Sequence, residues 1–291
     1  MRPLLYPDSD AWLAAPEKRA LLFGMSGLGK THLAAMLRRE GSWFHYSVDY
    51  RIGTRYMGEH IADSFKRAAM QVPYLRALLL SDSIWIGSNI TFDNLAPLST
   101  YLGKPGDPAR GGLPFAEYMR RQAQHREGEV AALLDSARFA ARAREIYGYP
   151  NFVCDTGGSI CEVADPEDPA DPVLSALAEG HLMIWIEGTD AHADALRARF
   201  DAAPKPMYYR PEILVPIWEA YAAGRPEAEI DPDDFVRHAY REAIAHRRPR
   251  YRAMARWGVA ITAAEAAAVR DAPGFVSLVA RAIARRSQSA A

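Results

Sequence analysis

The sequence predicts an α/β protein built on a five-stranded parallel sheet, and three observations support this prediction. Five short apolar runs each end at a turn signal, which is typical of strands buried on both faces. Helical patterns separate these runs, and strands that alternate with helices form a parallel sheet covered on both sides. A glycine-rich loop joins the first run to a helical pattern. The five runs are residues 20–23, 43–48, 152–154, 182–186 and 259–262.

The composition is typical of a soluble globular protein with no general attraction for nucleic acid or anionic membranes. The 291 residues include 35 basic and 36 acidic side chains, so that the net charge is -1 and any anion site must be local. Cys154 and Cys161 match no metal-binding pattern and indicate a reducing compartment. The sequence shows no signal peptide and no run of about 18 apolar residues. We therefore expect a cytoplasmic location.

Two long intervals interrupt the alternation of strands and helices. The whole chain, residues 1–291, is predicted to form a single domain that carries an insertion at 66–115 and a lid-like segment at 202–232. The insertion contains a possible extra strand at 84–86 and a turn-rich stretch. The lid-like segment is rich in proline and acidic residues. Segments of this length without strands or helices of their own usually have a function or are mobile.

The glycine-rich loop, residues 24–31, has the spacing of a phosphate-binding P-loop. Glycines allow backbone N–H groups to approach phosphate oxygens, and the N-terminus of the helix that follows favours anions. Lys30 is expected to reach the β- and γ-phosphates, and the Thr31 hydroxyl is expected to bind Mg²⁺. The loop predicts a three-layer P-loop NTPase fold that binds ATP or GTP. Its predicted nucleotide-binding residues are Gly24, Gly27, Gly29, Lys30, Thr31 and His32.

Two acidic residues, Asp49 and Asp155, close the second and third predicted strands. Since ligands of parallel sheets bind at the carboxyl ends of strands, both carboxylates are expected near the phosphates. Such an acid can hold Mg²⁺, accept a proton from a hydroxyl group, or cap a helix. We assign Mg²⁺ to Thr31 and Asp155, while the choice between base and metal ligand stays open. Asp155 precedes Gly157 and Gly158, where the backbone can press against a ligand.

Six short segments occur in the order in which a known kinase family carries similar motifs. On these motifs the chain resembles the shikimate kinases, P-loop kinases of the nucleoside-monophosphate-kinase type, over residues 18–65 and 115–285. The segments are 58–65 (like Gly-x-x-Ile-x-x-x-Phe), 125–129 (like Phe-Arg-x-x-Glu, with His125 in place of Phe), 156–159 (in place of a glycine triplet), 196–200 (with Arg199 after the fourth strand), 209–214 (like Arg-Pro-x-Leu) and 247–251 (like Arg-x-Pro-Leu-Tyr).

The resemblance implies roles for residues that composition alone does not select. Arg126, Arg247 and the Gly157–Gly158 turn would bind the phosphate acceptor, and the insertion would lie near it. Asp49 would orient or deprotonate the acceptor hydroxyl. Arg210, in the lid, would bind the ATP phosphates. Arg199 would lie beside the adenine. The insertion and the shortened glycine motif predict an acceptor other than shikimate.

These observations predict an ATP-dependent kinase that moves the γ-phosphate to a hydroxyl of a small molecule, with Lys30, Asp49 and Arg210 as catalytic residues and ATP and Mg²⁺ as cofactors. The alternative is an ATP-binding switch that engages a partner through its lid and insertion. The near-equal numbers of basic and acidic residues argue against nucleic acid as a partner. The sequence leaves open the acceptor, the choice between ATP and GTP, and the oligomeric state.

Overall fold

A computed structural model describes residues 2–288 and contains the predicted five-stranded sheet. All its strands are parallel, in the order β2-β3-β1-β4-β5. The five predicted strands are confirmed, and their ends differ from the prediction by at most two residues. Their bounds are β1 Lys18–Phe23, β2 Trp43–Ser47, β3 Asn151–Asp155, β4 Leu182–Glu187 and β5 Val259–Thr262.

Helices connect and follow the strands, as the alternating pattern predicts. In the described part of the chain they are α1 Ser9–Ala14, α2 Lys30–Arg39, α3 Val48–Arg51, α4 Gly58–Ala69, α5 Pro73–Leu80, α6 Ala96–Leu102, α7 Phe115–Tyr147, α8 Ile160–Val163, α9 Pro172–Gly180, α10 Asp190–Ala202, α11 Pro211–Ala222, α12 Pro232–Met254, α13 Ala263–Ala268 and α14 Ala272–Gln288. None of the helices in residues 2–288 is both long and apolar enough to cross a membrane.

The extra strand predicted at 84–86 is wrong. The chain there is irregular, and the Trp85 side chain is 86% exposed. A strand needs a neighbouring strand to receive its backbone hydrogen bonds. The three apolar residues at this position pair with none of the five strands of the described chain. An apolar pattern alone is therefore not sufficient to predict a strand.

The described chain forms two compact units. The first unit comprises residues 2–48, 130–204 and 237–288, and it contains the whole sheet. The second comprises residues 49–129 and 205–236. The predicted insertion falls in the second unit, together with most of the lid-like segment. The single-domain prediction and the bounds of insertion and lid stay predictions.

In the first unit, helices cover both faces of the sheet. On one face, α1, α2 and α14 pack with the strands in a single apolar core, where Trp43 meets Phe275 edge to face at 5.5 Å. On the other face, the Tyr46 ring packs against Phe139 of α7 at 5.2 Å, and Phe23 stacks on Tyr251 of α12. Burial of each such side chain contributes roughly 1.5–3 kcal/mol. The strands are therefore apolar on both faces because both are covered.

The second unit joins its two chain segments by hydrogen bonds and aromatic packing. The Gln122 amide on α7 accepts a bond from the N–H of Tyr209 at 2.8 Å and donates to the carbonyl of Met207 at 3.2 Å. Phe115, at the start of α7, stacks on Trp218 of α11 with ring centres 4.4 Å apart. These contacts hold the first part of the lid-like segment on the N-terminal half of α7.

Candidate functional site

The candidate site lies where the connections of two neighbouring strands diverge. β1 pairs with β3 on one side and with β4 on the other. After β1 the chain proceeds through α2 to β2 on the far side of β3, whereas after β3 it crosses to β4 on the other side of β1. Such a divergence opens a crevice at the carboxyl ends of the two strands. The glycine loop and the turn after Asp155 lie at these ends.

The glycine loop turns sharply from β1 into α2. Gly24 has φ +142°, and a Cβ placed on it would lie 2.6 Å from the carbonyl oxygen of Ile186 on β4. Gly29, the residue before α2, has φ +91° in the left-handed region that favours glycine. A larger residue is therefore excluded at Gly24 by the neighbouring strand and disfavoured at Gly29 by backbone conformation. The two glycines fix the shape of the loop that leads into the N-terminus of α2.

Lys30 is buried at the base of this loop, with 6% of its surface exposed. Its Nζ donates hydrogen bonds to the carbonyls of Gly24 at 2.8 Å and Met25 at 2.9 Å. The ammonium group is thus held against the loop backbone. Thr31 and His32 follow in the first turn of α2 and are exposed. A positive charge and the dipole of a ten-residue helix therefore act at the same place.

Asp155 is the last residue of β3, and its carboxylate is buried, with 4% of the residue exposed. Its Oδ2 lies 3.7 Å from Nε2 of His45 on the adjacent strand β2. Its Oδ1 accepts no hydrogen bond from any residue of the described chain. A buried carboxylate oxygen without a donor is costly unless a cation or water binds it. This environment fits a carboxylate that holds Mg²⁺.

Metal binding by protein side chains alone is not indicated. Within residues 2–288, no group of three or more His, Cys, Asp or Glu side chains is arranged to hold a metal ion. Mg²⁺ characteristically uses one or two carboxylates together with waters and substrate phosphates. One carboxylate and one hydroxyl, as Asp155 and Thr31 offer, are ligands of the kind that Mg²⁺ uses together with phosphates and water.

The turn after Asp155 lies directly against the glycine loop. A Cβ on Gly158 would come within 2.3 Å of the Ser26 hydroxyl, so the two backbones approach each other more closely than a side chain there would allow. The carbonyl of Gly158 accepts hydrogen bonds from the Tyr251 hydroxyl at 2.7 Å and from Arg247 at 3.3 Å. Two groups of α12 thus fix the Gly157–Gly158 turn beside the loop.

Arg247 forms a buried ion pair with Glu162 of α8. Its Nε lies 2.7 Å from Oε1 of Glu162, and the two residues are 5% and 3% exposed. Burial acts to lower the pKa of Arg247, but the negative charge of Glu162 outweighs it and raises that pKa above its ordinary value. The structure thus places Arg247 against the carbonyl of Gly158, in the turn that the sequence resemblance assigns to the acceptor.

Arg199 of α10 lies over the glycine loop. A Cβ on Gly27 would be 2.6 Å from Nη2 of Arg199, and the arginine side chain is exposed. The guanidinium group is therefore next to the outer edge of the loop. The sequence predicts that Arg199 contacts the adenine side of a nucleotide, and its position beside Gly27 is compatible with that prediction.

Three predicted site residues belong to the second unit. Asp49 lies in the first turn of α3, immediately after β2. Arg210, the residue before α11, binds Glu212 at 3.1 Å. The pKa of Glu212 is lowered mainly by a backbone hydrogen bond. Arg210 lowers this pKa further, and Arg126 does so to a smaller extent. Arg210 thus binds a carboxylate within this unit, and the charge of Arg126 acts on the same carboxylate.

Sequence reasoning did not select His45 or Glu162. His45 is 5% exposed and lies in β2 among aromatic residues, and a histidine in such a run is more typical of a core than of a site. Glu162 follows Asp155 by seven residues and gave no signal. Its pairing with Arg247, 85 residues away, is visible only after folding.

The two cysteines are buried and take no part in the site chemistry. Burial, and then the charge of Asp155, raise the pKa of the Cys154 thiol. Burial raises the pKa of Cys161 to about 12. Because the thiolate is the reactive form, both side chains are inert near neutral pH.

The parallel sheet, its two helical layers and the loop at the carboxyl end of β1 define an α/β protein with the three-layer fold of P-loop NTPases. No family model and no curated protein matches the sequence. Among solved structures, the chain is similar to shikimate kinase from Bacteroides thetaiotaomicron, with 16% identity and a TM-score of 0.38 over 94% of this chain and 97% of that one. Similarity at this level does not place the chain in that family.

Proposed function

We propose that this protein is an ATP-dependent phosphotransferase that moves the γ-phosphate to a hydroxyl of a small molecule. The observation that carries the proposal is the pairing of the glycine loop and buried Lys30 with a buried carboxylate, Asp155, that has an unpaired oxygen. Phosphoryl transfer requires positioning and charge neutralisation more than covalent chemistry. A loop, a lysine and an acid at adjacent strand ends supply these elements.

In this proposal the loop and Lys30 bind the triphosphate. Backbone N–H groups between Gly24 and Gly29 surround the phosphate oxygens, and the N-terminus of α2 favours their negative charge. Lys30 neutralises charge on the γ-phosphoryl group while the bond between this group and the β-phosphate breaks. Arg199 lies beside the base, since its guanidinium borders the outer edge of the loop.

Thr31 and Asp155 would hold Mg²⁺ in the proposed site. When bound there, Mg²⁺ would supply positive charge that offsets the negative charge of the phosphates during transfer. Nε2 of His45 lies 3.7 Å from Oδ2 of Asp155, and in the proposal this contact helps to position the carboxylate. Asp155 is thus a metal-binding residue in the proposal, and His45 is a positioning residue.

Two observations support the proposed acceptor side, namely the position of the Gly157–Gly158 turn and the resemblance to shikimate kinases. The Gly157–Gly158 turn adjoins the loop, and Arg247 supports it from α12. The roles of Asp49 as base, Arg126 as an acceptor ligand and Arg210 as a phosphate ligand follow from the resemblance to shikimate kinases. They form part of this proposal.

An acceptor screen tests the proposal. Purified protein with ATP and MgCl₂ is incubated with hydroxy acids, sugars and nucleosides, and ADP release is measured alongside the ³¹P spectrum of the products. We expect at least one acceptor class to raise ADP release above hydrolysis by water and to yield a phosphate ester. If no acceptor class does so, the phosphotransferase proposal is wrong.

A second candidate function is an ATP-dependent switch, and an exposed apolar segment in the second unit favours it. Every residue of α5 is at least partly exposed, and Tyr74, Leu80 and Trp85 are 67%, 69% and 86% exposed. Apolar surface of this kind is typical of protein-binding sites. Tight ATP binding, slow turnover insensitive to every acceptor, and a partner recovered only with nucleotide would favour the switch over the kinase.

Replacing Asp155 with asparagine is expected to raise the Mg²⁺ concentration needed for half-maximal ADP release by about tenfold or more. The substitution keeps the shape of the side chain but removes the charge that attracts the cation. The measurement is a MgCl₂ titration at fixed ATP. Asp194→Asn, on the exposed surface of α10, is the matched control. An unchanged Mg²⁺ requirement in Asp155→Asn would remove Asp155 from the metal site.

A further inference from the structure

A large cavity lies at the opposite end of the strands from the glycine loop. It has a volume of about 810 Å³ and is bordered by Gly258 and Val259 at the amino end of β5. The loop, in contrast, follows the carboxyl end of β1. All residues that border the cavity belong to the first unit. Known ligand pockets measure roughly 300–1,000 Å³, so the cavity is large enough for a small organic ligand.

The walls of this cavity carry an excess of positive charge. Four arginines and one glutamate border it, which gives a formal charge of +3 in a protein whose net charge is -1. Two carboxylates outside the cavity reduce this excess, because Glu179 lies 3.7 Å from Arg2 and Glu265 lies 2.9 Å from Arg285. Within the wall, Glu167 pairs with Arg256 at 2.7 Å, so that the walls and these two carboxylates together carry a formal charge of +1. The charged residues of the walls are Arg2, Arg256, Arg285, Arg286 and Glu167.

Backbone hydrogen bonds hold the arginines in place. Arg286 of α14 donates to the carbonyl of Arg2 at 3.0 Å and to that of Arg256 at 3.1 Å. The Arg2 guanidinium lies over the Trp257 ring, 4.5 Å from its centre. Burial lowers the pKa of Arg286, so that a bound anion would stabilise its charged form. Arginines restrained in this way lose little conformational freedom when they bind a ligand.

The rest of the wall is apolar. Trp257, Val259, Ala260, Ala282 and Pro166 contribute hydrocarbon surface next to the arginines. A free inorganic anion would leave this surface in contact with water. A ligand that carries both an anionic group and an apolar portion would cover it and bring its charge to the guanidinium groups.

We propose that this cavity is a second ligand site that binds a small organic phosphate ester. Arg256, Arg286 and Arg2 bind the phosphoryl group, and the apolar portion of the ester lies against Trp257 and Ala260. A phosphoryl group offers three oxygens to the guanidinium groups, which bind such oxygens in pairs, whereas a carboxylate offers two. The proposal does not depend on the function of the glycine loop.

Calorimetry on the full chain with 1-naphthyl phosphate tests this site, with inorganic phosphate and 1-naphthol as partial ligands. We expect the ester to bind at least tenfold more tightly than either partial ligand. Arg256→Gln and Arg286→Gln are expected to weaken its binding at least tenfold. Arg281→Gln is the matched control, because Arg281 is exposed on the same helix and lies outside the cavity wall.

Two further variants keep the result decisive if Arg286→Gln fails to fold. Ala260→Phe fills the cavity from the exposed side of β5 without changing its charge, and it is expected to weaken binding at an unchanged melting temperature. Lys30→Ala is expected to leave binding unchanged. Loss of binding in Lys30→Ala would place the ester at the glycine loop and overturn the proposal. Undiminished binding in both Arg256→Gln and Ala260→Phe, or inorganic phosphate binding as tightly as the ester, would overturn it as well.

Discussion

Replacing Lys30 with alanine is expected to weaken ATP binding about 10- to 150-fold and to slow phosphoryl transfer further. A hydrogen bond to a charged group contributes about 1.5–3 kcal/mol, and each 1.4 kcal/mol changes affinity about tenfold. Removal of one preorganised donor to a group on which charge develops costs about 10²–10³ in rate. Because the Lys30 Nζ already lies at the base of the loop, little rearrangement is needed to bind phosphate.

Calorimetry with ATP and MgCl₂ measures the affinity, and ADP release measures the rate. Arg39→Gln is the control, since Arg39 is an exposed cation at the other end of α2. Loss of the bonds from Lys30 to the carbonyls of Gly24 and Met25 also affects the loop, so urea unfolding is measured in parallel. If the stably folded Lys30→Ala variant bound ATP as tightly as the native chain, the loop would not be a nucleotide site.

The sheet could be predicted from the sequence because its strands are buried on both faces. β4, for example, reads as the continuous apolar run of residues 182–186, and five of its six residues are buried. The triplet at 84–86 has the same local character but no strand to pair with. Strand prediction was correct where burial on both faces requires a continuous apolar run. It was wrong at 84–86, where the outcome depended on whether a neighbouring strand was present for backbone hydrogen bonding.

The glycine loop after β1 is recognisable in the sequence because its backbone geometry requires glycine at fixed spacing. The steric reason at Gly24 is the carbonyl of Ile186, which lies on a different strand. His45 could not be selected, because its approach to Asp155 depends on the pairing of β2 with β3, where His45 lies opposite Val153 and Ser47 lies opposite Asp155. Glu162 depends on contact with a distant helix, α12. The positions of the loop and of Asp155 at the ends of strands were therefore predictable from local sequence, whereas the distant residues that contact them were not.

Replacing Arg247 with methionine is expected to destabilise the protein by about 3–5 kcal/mol, because Glu162 would remain buried without its cation. The double variant Glu162→Leu/Arg247→Met is expected to regain most of this loss, since buried apolar residues can replace a buried ion pair at little cost. The free energy of unfolding is measured by urea denaturation. A change in the midpoint without a change in slope identifies a loss of stability.

The neighbouring ion pair of Arg248 with Asp190 provides the control. Its two side chains are 38% and 83% exposed, and an exposed pair is expected to contribute about 0–1 kcal/mol, so Arg248→Gln should change stability little. The comparison also separates two roles of Arg247. If Arg247→Met kept native stability but lost affinity for the acceptor, the arginine would bind the acceptor directly, as the family resemblance implies. Destabilisation that the double variant relieves would instead show that Arg247 acts mainly by neutralising Glu162 and holding the Gly158 turn against the glycine loop.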